Sequence, residues 1–463
     1  MMKKLRCIGL VLRVMPIVLV LSGCCTFSRP GKKLNNPNSY CGSDSEKIEK
    51  ALVYAAKNQL PLEITARCAP DGRNYWLLDR AILLPGNMEL QIVDCKIKLS
   101  DRSRDNFIRS ANCIAGLDRI AKVQNIKIRG IGKAVLEGAD HPRATGDSGK
   151  KLGVKTYGTD AGKAGEVQIG NWRNIGILLA DVDDFEISNL TIIDSHCWAI
   201  SLEYCRRGKV KDIQFYSSGS TEIDGKPELT LNQDGLDLRR GCQYIDIENI
   251  TGWAGDDLIA LTAIGTDIKG KSGSEKSSMF SAPERRGVDD DTHHINIRNV
   301  YGFSAGNCNI IRLLNNRGVK IHHVTIENLI DRSPSALQNR AAVRIGDRNY
   351  GGYAAMGDTH NITIRNVHSN ADAAIFIQGT LADSVIEDVK LRRHWATVFS
   401  IPEGMKALRN VKLPANLIDK ATRLKTSTPE PTRYDDSNWV RLYYPEPPHI
   451  REVILKKYSK SAK

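Results

Sequence analysis

The chain has 463 residues and a formal net charge of +13, because 66 lysines and arginines outnumber 53 aspartates and glutamates. A basic surface attracts polyanions at long range, although basic charge also serves solubility alone. Since no segment has the pattern of a nucleic-acid-binding module, nucleic acid is excluded as the expected partner, and an acidic glycan is the more natural one.

The N-terminal segment has the pattern of an export signal. A basic start is followed by a mostly apolar stretch, Cys7 to Leu21, which is too short for a stable membrane span. It ends on Leu-Ser-Gly-Cys, which resembles the bacterial lipobox, whose cysteine (here Cys24) becomes the lipidated first residue. Residue 25 is not the aspartate of inner-membrane retention. We expect a signal peptide at 1–23, a tether at 24–40 and a lipid anchor in the cell envelope, at the outer membrane. The alternative is an ordinary secretory signal with an incidental cysteine.

An amphipathic helix is predicted over 44–57. Ser43 and Glu46 match the capping-box pattern of a helix start. An apolar stripe follows at helical spacing, formed by Ile48, Ala51, Leu52 and Ala55. The first strand patterns then run from Asp79 to Leu99. The helix is the expected cap of the repeat that follows, since a repeat fold must cover the open end of its core.

One recurring phrase runs through the body of the chain in place of a helical period. It consists of an apolar residue, any residue, asparagine or aspartate, and a second apolar residue, and its shortest repeat is 22 residues. Its polar position is occupied by Asn189, Asp212, Asn249, Asn299, Asn328, Asn366, Asp388 and Asn410. A fixed period in this range indicates a repeat architecture, and β-branched alternating units indicate strands. We predict an all-β fold: a single parallel β-helix over 41–415, with a capping helix and an irregular C-terminal arm over 416–463.

A second ladder of apolar pairs, two residues apart, predicts the inward-facing stack of one sheet. The pairs are Ile200/Leu202, Leu236/Leu238, Leu258/Ala260, Ile311/Leu313, Val343/Ile345 and Ile375/Ile377. The residue between the members of each pair then points outward from successive turns of the helix. These outward residues are Ser201, Asp237, Ile259, Arg312, Arg344 and Phe376.

Three aspartates in two adjacent segments are the candidate catalytic residues. Aligning Leu236 with Leu258 places Asp234 and Asp256 one turn apart on the same face, with Asp257 beside them. Like charges this close raise at least one pKa. Glycoside hydrolysis needs such a set, with one protonated acid for the leaving oxygen and one carboxylate to activate water. The alternative is that these aspartates serve only the turns of the β-helix.

These segments resemble the signature of glycoside hydrolase family 28, the polygalacturonases and rhamnogalacturonases. Asn-Gln-Asp-Gly-Leu-Asp at 232–237 is similar to N-T-D-G-I-D, and Gly-Asp-Asp at 255–257 to G-D-D. Ser-His-Cys-Trp at 195–198 is similar to S-P-C-W, and residues 43–100 resemble the opening of pectate-lyase-like β-helix proteins. The resemblance covers 41–415 and implies a right-handed β-helix.

The resemblance also implies a mechanism. Asp256 would be the general acid, and Asp234 and Asp257 would hold the attacking water, with inversion and without metal or other cofactor. The substrate would be a polysaccharide and the protein a monomer. The candidate substrate-binding residues are Arg344, Arg312, Asn232, Asp237, His196 and Asn307.

Two departures from the family pattern concern substrate recognition. The third motif, G-H-G, falls near 304–308, where Asn307 and Cys308 stand and no histidine is present. The fourth, R-I-K, aligns with Arg344-Ile345-Gly346, so the arginine is kept and the lysine is lost. Arg312 is a candidate to replace the lost cation, and an ion pair with Asp237 or another ladder carboxylate is its alternative.

Other conspicuous residues receive weaker interpretations. The pairs His293-His294 and His322-His323 are interpreted as turn or surface residues, and Trp198, Trp253 and Tyr350 as candidates for sugar stacking or burial. The candidate disulfide cysteines are Cys41, Cys68, Cys95 and Cys113.

Two other functions fit the same fold. In a polysaccharide lyase, the aspartates would bind Ca²⁺ and Arg344 or Arg312 would remove a proton. A catalytically silent glycan-binding protein would keep the scaffold without the reaction.

Overall fold

The computed structural model describes residues 33–101, 103, 105–113, 121–140, 174–223, 226–230, 232–264, 287–316, 318–334, 340–347, 354–371, 373–391, 397–399, 408–418 and 421–423. The predicted signal peptide, Cys24, most of the tether, Tyr350 and the arm beyond 423 lie outside these residues. Within the described part of the chain, no helix is long and apolar enough to cross a membrane.

The predicted capping helix is confirmed. Helix α1 (Asp44–Lys57) begins with a reciprocal capping box, in which the Glu46 amide donates to Ser43 Oγ and the Ser43 amide to Glu46 Oε2. These bonds satisfy two of the amides that a helix start leaves unpaired. The apolar stripe of Ile48, Ala51, Leu52 and Ala55 is buried. The helix therefore covers the first turn of the solenoid as expected.

Most of the described residues lie in strands. They are β1 (Leu62–Ile64), β2 (Tyr75–Leu78), β3 (Ile82–Leu84), β4 (Met88–Leu99), β5 (Ile108–Ser110), β6 (Val123–Glu137), β7 (Ile177–Ala180), β8 (Val182–Ile193), β9 (Ile200–Glu203), β10 (Arg206–Tyr216), β11 (Ser220–Ile223), β12 (Lys226–Leu229), β13 (Leu236–Arg239), β14 (Gln243–Ala254), β15 (Ile259–Ala263), β16 (Thr292–Ser304), β17 (Asn309–Asn315), β18 (Ile321–Asp331), β19 (Ala341–Ile345), β20 (Thr359–Ser369), β21 (Ala373–Ile377), β22 (Leu381–Leu391), β23 (Thr397–Phe399), β24 (Leu408–Lys412) and β25 (Ala421–Arg423). Short 3₁₀ turns lie at Pro37–Ser39 and Gly287–Asp290, and helix α2 at Ala415–Ile418.

Two parallel sheets run along the molecule. Sheet A stacks β1, β4, β6, β8, β10, β14, β16, β18, β20, β22 and β24 in chain order, with β2 beside β4. Sheet B stacks the eleven strands β3, β5, β7, β9, β13, β15, β17, β19, β21, β23 and β25, also in chain order. The hairpin β11–β12 is antiparallel. Chain-order stacking of parallel strands in both sheets confirms the all-β parallel β-helix.

The recurring polar phrase marks a bend in the long strands of sheet A. Its asparagines and aspartates adopt left-handed backbone, with φ between 49° and 60°, which these residues tolerate better than most. They also form a hydrogen-bonded ladder, in which Asn299 donates to Asn249 at 3.0 Å and Asn328 donates to Asn299 at 2.7 Å. The bend joins two of the three expected strands of each turn into one strand.

The last copy of the phrase is placed differently from the prediction. The repeat aligned Asn410 with Asp388, but β24 pairs with β22 so that Leu408 lies beside Leu381. Asn410 therefore donates to Asp383 at 3.0 Å, one bend earlier. Sheet B continues past residue 415, where the β-helix was predicted to end, because Ala421–Arg423 pairs with Thr397–Phe399.

The inward stack of sheet B is confirmed at five of its six pairs, and one pair is shifted. Ile259 and Leu261 pair with Leu236 and Leu238, so Ala260 faces outward where Ile259 was expected. Period-two alternation sets register only when the two faces differ. The run Leu-Ile-Ala-Leu at 258–261 is apolar at every position, so the alternation could not choose between the two registers.

The expected disulfides are not formed by the buried cysteines. Cys95 and Cys113 are both buried free thiols. Burial raises the pKa of each thiol to about 12, so both stay protonated at neutral pH.

Candidate active site

The three candidate aspartates lie together at the start of two neighbouring strands of sheet B. The Gly235 amide donates to the Asp257 carbonyl at 3.0 Å, and the Leu236 amide donates to the Leu258 carbonyl at 3.0 Å. This register stacks Asp234 on Asp257, and the predicted stacking of Asp234 on Asp256 is wrong by one residue. The cause is the same shifted register that turns Ala260 outward.

Asp234 and Asp256 converge on a single backbone amide. Their Oδ1 atoms each accept from the Asp257 N–H at 3.0 Å. All three side chains are buried, and Asp256, at 8% exposure, is the most accessible of them. Because both carboxyls accept from the same amide, they lie close together, and Asp256 is the one nearer to solvent.

Burial and mutual repulsion change the protonation of this pair. Burial raises the pKa of Asp234 well above its usual range, and the neighbouring Asp256 raises it further. Burial and Asp257 raise the pKa of Asp256 to about 6, against the opposing effect of Arg312. Two carboxyls held this close titrate together, so the pair retains a proton near neutral pH.

Asp257 is held as the ionised member of the cluster. Its Oδ1 accepts from both the backbone amide and the Nδ2 of Asn309, each at 2.8 Å. Its Oδ2 lies 2.7 Å from Arg312 Nε in an ion pair rather than a hydrogen bond. The two hydrogen bonds from Asn309 and the positive charge of Arg312 both favour the carboxylate. The site therefore contains a protonated acid and an ionised carboxylate on adjacent residues.

Arg312 lies on the outward face of sheet B, beside the small residue Ala260. Arg312 pairs with Ala260, and Ala260 with Asp237, on successive strands. Asp237 is also buried, and burial raises its pKa to about 7 against the opposing charges of Arg239 and Arg312. Of the two interpretations of Arg312, the structure supports the ion pair, with Asp257 as the partner.

Two residues that sequence reasoning missed complete the cluster. Asn309 opens strand β17, and its amide anchors Asp257. The Cys308 thiol faces Asp256, where its hydrogen bond partly offsets the rise in the pKa of Asp256. Cys308 lies in the segment where the family pattern has a histidine. Its position within that segment was the only feature of the sequence that could have indicated it.

Glycines bring the backbone close beneath the aspartates. A Cβ on Gly235 would lie 2.5 Å from the Leu258 carbonyl oxygen, and a Cβ on Gly255 would lie 2.5 Å from the Gly219 nitrogen. Gln233 fastens this region, since its Oε1 accepts from the Gly219 amide at 2.8 Å and its Nε2 donates to the Ser195 carbonyl. Any side chain at these two glycines would push the acidic segments apart.

Arg344 is committed to partners inside the protein. It is buried, donates to the Gly346 carbonyl at 3.2 Å, forms an ion pair with Asp347 at 3.0 Å and hydrogen-bonds Gln378. Its guanidinium also lies 5.0 Å from the ring centre of Phe376. A substrate carboxylate would have to compete with these contacts, so its role in substrate binding stays a prediction.

The other candidate binding residues occupy turns or the interior. His196 is buried, and its Nε2 accepts from the Ala139 amide at 2.8 Å. Asn232 and Asn307 are half-buried and adopt left-handed backbone, with φ of 55° and 59°. Asn307 Oδ1 is buried and has no hydrogen-bond partner among the described residues. Of these three residues, Asn307 is therefore the one whose side-chain oxygen could accept a hydrogen bond from a ligand.

The two candidate stacking tryptophans that the structure describes, Trp198 and Trp253, are buried. Trp198 lies under the Arg239 guanidinium at 4.6 Å, and Trp253 stacks on Phe303 at 5.7 Å. Each ring is less than a tenth exposed. Both therefore follow the burial interpretation in this structure.

Asp256, Asp257 and Cys308 place one ligand atom each within 4.8 Å of one another, which is close enough for a metal ion. The donor set does not suit Ca²⁺, since a thiol is a soft ligand and Ca²⁺ prefers oxygen. Arg312 already supplies the positive charge at Asp257 Oδ2. These residues therefore fit the lyase-type Ca²⁺ site poorly.

Comparisons with known proteins bear on the fold. No protein-family model matches the chain, and no curated protein matches it. Among solved structures, a hyperthermoactive exopolygalacturonase from Thermotoga maritima is similar, with a TM-score of 0.50 and 15% identity over 81% of this chain and 90% of that chain. A polygalacturonase from Erwinia carotovora ssp. carotovora has a TM-score of 0.47 and 13% identity over 83% and 95% of the two chains. A tailspike protein mutant of E. coli bacteriophage HK620 has a TM-score of 0.45 and 12% identity over 80% and 55%. At these identities the likeness concerns fold: the chain folds as a right-handed parallel β-helix, similar to that of the exopolygalacturonase.

Proposed function

We propose that this protein is an inverting glycoside hydrolase that cleaves an acidic polysaccharide. The observation that carries the proposal is the convergence of Asp234 and Asp256 on the Asp257 amide, next to a carboxylate held by Arg312. That arrangement supplies a protonated acid and an ionised carboxylate in one site, as glycoside hydrolysis requires. The acidic substrate is inferred from the basic charge of the chain.

Asp256 is the proposed general acid. Its pKa of about 6 keeps it substantially protonated in mildly acidic solution, and it is the most exposed of the three aspartates. It would give its proton to the glycosidic oxygen as the bond to the anomeric carbon breaks. Asp234, together with Asp257, would take a proton from the attacking water. Protonation of Asp256 removes its repulsion of Asp234, while burial, the larger cause, still raises the pKa of Asp234.

Asn309 and Arg312 are the proposed positioning residues. They contact opposite oxygens of Asp257, which favours one orientation of its carboxylate. They act through Asp257, which distinguishes them from residues that contact the reacting atoms.

The experiment that tests the proposal is a reducing-end assay on the purified protein. The panel contains pectic, rhamnogalacturonan, sulfated and neutral glycans, and Asp256→Asn is measured beside Asp388→Asn as a matched control. Asp388 is an exposed member of the polar ladder, where asparagine occupies the same position on most turns. We expect turnover of an acidic glycan that Asp256→Asn abolishes and Asp388→Asn leaves intact.

The stereochemistry needs its own measurement. Two oxygens that each lie 3.0 Å from one nitrogen are closer than the roughly 6.5–9.5 Å carboxyl separation of most inverting enzymes. A retaining enzyme with a covalent intermediate is therefore the specific competitor. Proton NMR of the first-formed anomer decides between them, and retention of configuration would refute the inverting assignment.

A catalytically silent glycan-binding protein is the second candidate function. It is favoured by Arg344, whose partners are internal, and by the absence of histidine in the third motif. Glycan binding that survives Asp256→Asn, with no turnover on any substrate, would support it. An unsaturated product that absorbs ultraviolet light would instead identify a lyase.

The lipid anchor on Cys24 and attachment to the outer membrane are proposed separately, on the lipobox-like sequence at 21–24. The monomeric state is likewise a proposal, tested by light scattering of the purified protein.

A further inference from the structure

Five of the ten histidines of the chain lie together on the surface of sheet A. They are His293 and His294 on β16, His322 and His323 on β18, and His360 on β20, and we call them the histidine cluster. The register pairs His293 with His322 and His322 with His360 on successive strands. The cluster therefore spans three turns of the solenoid and uses none of the residues of the candidate active site.

A backbone bend brings the consecutive histidines onto one face. In a regular strand, neighbouring side chains point to opposite sides. His294 and His323 adopt left-handed backbone instead, with φ of 54° and 53°. As a result, the two Nδ1 atoms of each pair, His293–His294 and His322–His323, lie 2.7 Å apart. The sequence analysis interpreted these pairs as turn or surface residues and did not foresee this convergence.

The rings also stack along the solenoid axis. Ring centres are 4.7 Å apart for His293 and His322, 4.7 Å for His294 and His323, and 4.8 Å for His322 and His360. These distances follow the spacing of neighbouring strands. Imidazole nitrogens from adjacent strands therefore stay close wherever the side chains rotate within the stack.

We propose that His322, His323 and His360 form a binding site for a divalent first-row transition metal ion, of which Cu²⁺ and Zn²⁺ are the preferred members. Each of the three residues offers a ring nitrogen within 4.8 Å of the others. Imidazole is the side chain that suits these two ions, and Cu²⁺ binds such sites most tightly.

Small rotations are enough to form the site. Nitrogens that bind one metal ion at about 2.0–2.1 Å lie roughly 3 to 4 Å apart. The 2.7 Å pair of His322 and His323 must open slightly, and nitrogens at the 4.8 Å limit must approach by roughly 1 to 2 Å. His293 and His294 stack against this trio and orient it.

Asn361 is the residue that would orient His323. Its side-chain amide lies 3.0 Å from His323 Nε2. If the metal ion binds His323 Nδ1, the single proton of the neutral ring lies on Nε2, and the Asn361 side chain would turn so that its oxygen accepts from Nε2–H. An outer partner of this kind is the usual companion of a metal-binding histidine.

The test is a Cu²⁺ titration of the tag-free full chain by calorimetry, with electron paramagnetic resonance of the bound ion. We expect one ion per chain, with hyperfine splitting from more than one imidazole nitrogen. The double variant His322→Gln, His360→Gln should bind at least about tenfold more weakly. His368→Gln is the matched control, since His368 is half-buried on the same strand β20 and lies outside the cluster.

Two further variants keep the result decisive. His323→Asn keeps the bend intact, because Asn361 adopts the same backbone, with φ of 53°, at the corresponding position of the next strand. It should lower Cu²⁺ affinity without changing the circular dichroism spectrum. Cys308→Ser tests the other set of residues that could hold a metal ion, which is Asp256, Asp257 and Cys308. Binding lost in Cys308→Ser but kept in the histidine variants would overturn the proposal.

Zn²⁺ provides an independent readout. A metal ion that bridges β18 and β20 binds the folded chain only, so it should raise the thermal unfolding midpoint of the protein. His368→Gln should show the same rise, and the double variant should not. Absence of Cu²⁺ binding, or an equal Zn²⁺ effect on the double variant, would show that the cluster is only a stack of aromatic rings.

Discussion

The ion pair between Asp257 and Arg312 allows the sharpest test of the site. Asp257 is fully buried, the Arg312 side chain is 14% exposed, and Nε lies 2.7 Å from Oδ2. Replacing Arg312 by methionine keeps much of the aliphatic stem and removes the charge. The carboxylate of Asp257 then keeps its two bonds from Asn309 but loses its cation.

The magnitude of two effects of Arg312→Met can be estimated, one on the unfolding free energy and one on the pKa of Asp256. Breaking a buried ion pair from one side costs about 3–5 kcal/mol of unfolding free energy, because the remaining charge is buried without compensation. Arg312 also lowers the pKa of Asp256 and of Asp234. Removing it should raise the pKa of the general acid above about 6, by on the order of one unit for charges several ångströms apart.

Urea unfolding and the pH profile of kcat/KM measure the two effects. A general acid must be protonated, so wild-type activity falls as pH rises through about 6, and Arg312→Met should move that alkaline limb to higher pH. The control is Arg365→Met, which removes a 47% exposed partner of Glu327 at 3.0 Å and should cost at most about 1 kcal/mol. An unshifted alkaline limb with a loss of stability no larger than that of the control would refute the role of Arg312.

Three further predictions concern single residues. The raised pKa of Asp256 makes the unfolding free energy of the wild type fall as pH rises from about 4 to 6, and Asp256→Asn should remove this pH dependence. Above pH 6 the variant should therefore be more stable than the wild type by up to about 3 kcal/mol. Urea unfolding at pH 4 and pH 7 measures the difference. Asn309→Ala removes the side-chain donor to Asp257 and should lower kcat more than it raises KM; an effect on KM alone would contradict positioning through Asp257. Cys24→Ser should move the protein from the membrane fraction to the soluble fraction, and an unchanged distribution would count against the lipid anchor.

The fold was predictable because it rests on a local signal that recurs. The asparagines and aspartates of the repeat phrase occupy left-handed bends, and the apolar residues beside them, such as Ile247 and Ile297, are fully buried. Each turn repeats the same requirement, so one phrase predicts the architecture. The misplacement of Asn410 shows the limit of this prediction. A long strand of sheet A can contain two bends with the same residue types, so the phrase alone does not say which of the two bends it occupies.

The clustering of the aspartates was also predictable, but their arrangement was not. The acidic segments lie one turn apart in the chain, which brings Asp234, Asp256 and Asp257 together in any parallel β-helix. Which two of them stack depends on a one-residue register. The apolar run at 258–261 has no alternation that could decide it.

The amino-acid sequence by itself determined the parallel β-helix, its capping helix and the place of the acidic cluster, because these depend on short-range patterns and a period. Only the tertiary structure decided the partners: Asp257 for Arg312, Asp347 for Arg344, and Cys308 facing Asp256. It also decided the convergence of the histidine cluster. Partners across turns are set by loops of unequal length and by register, and neither leaves a pattern in the chain that can be read locally.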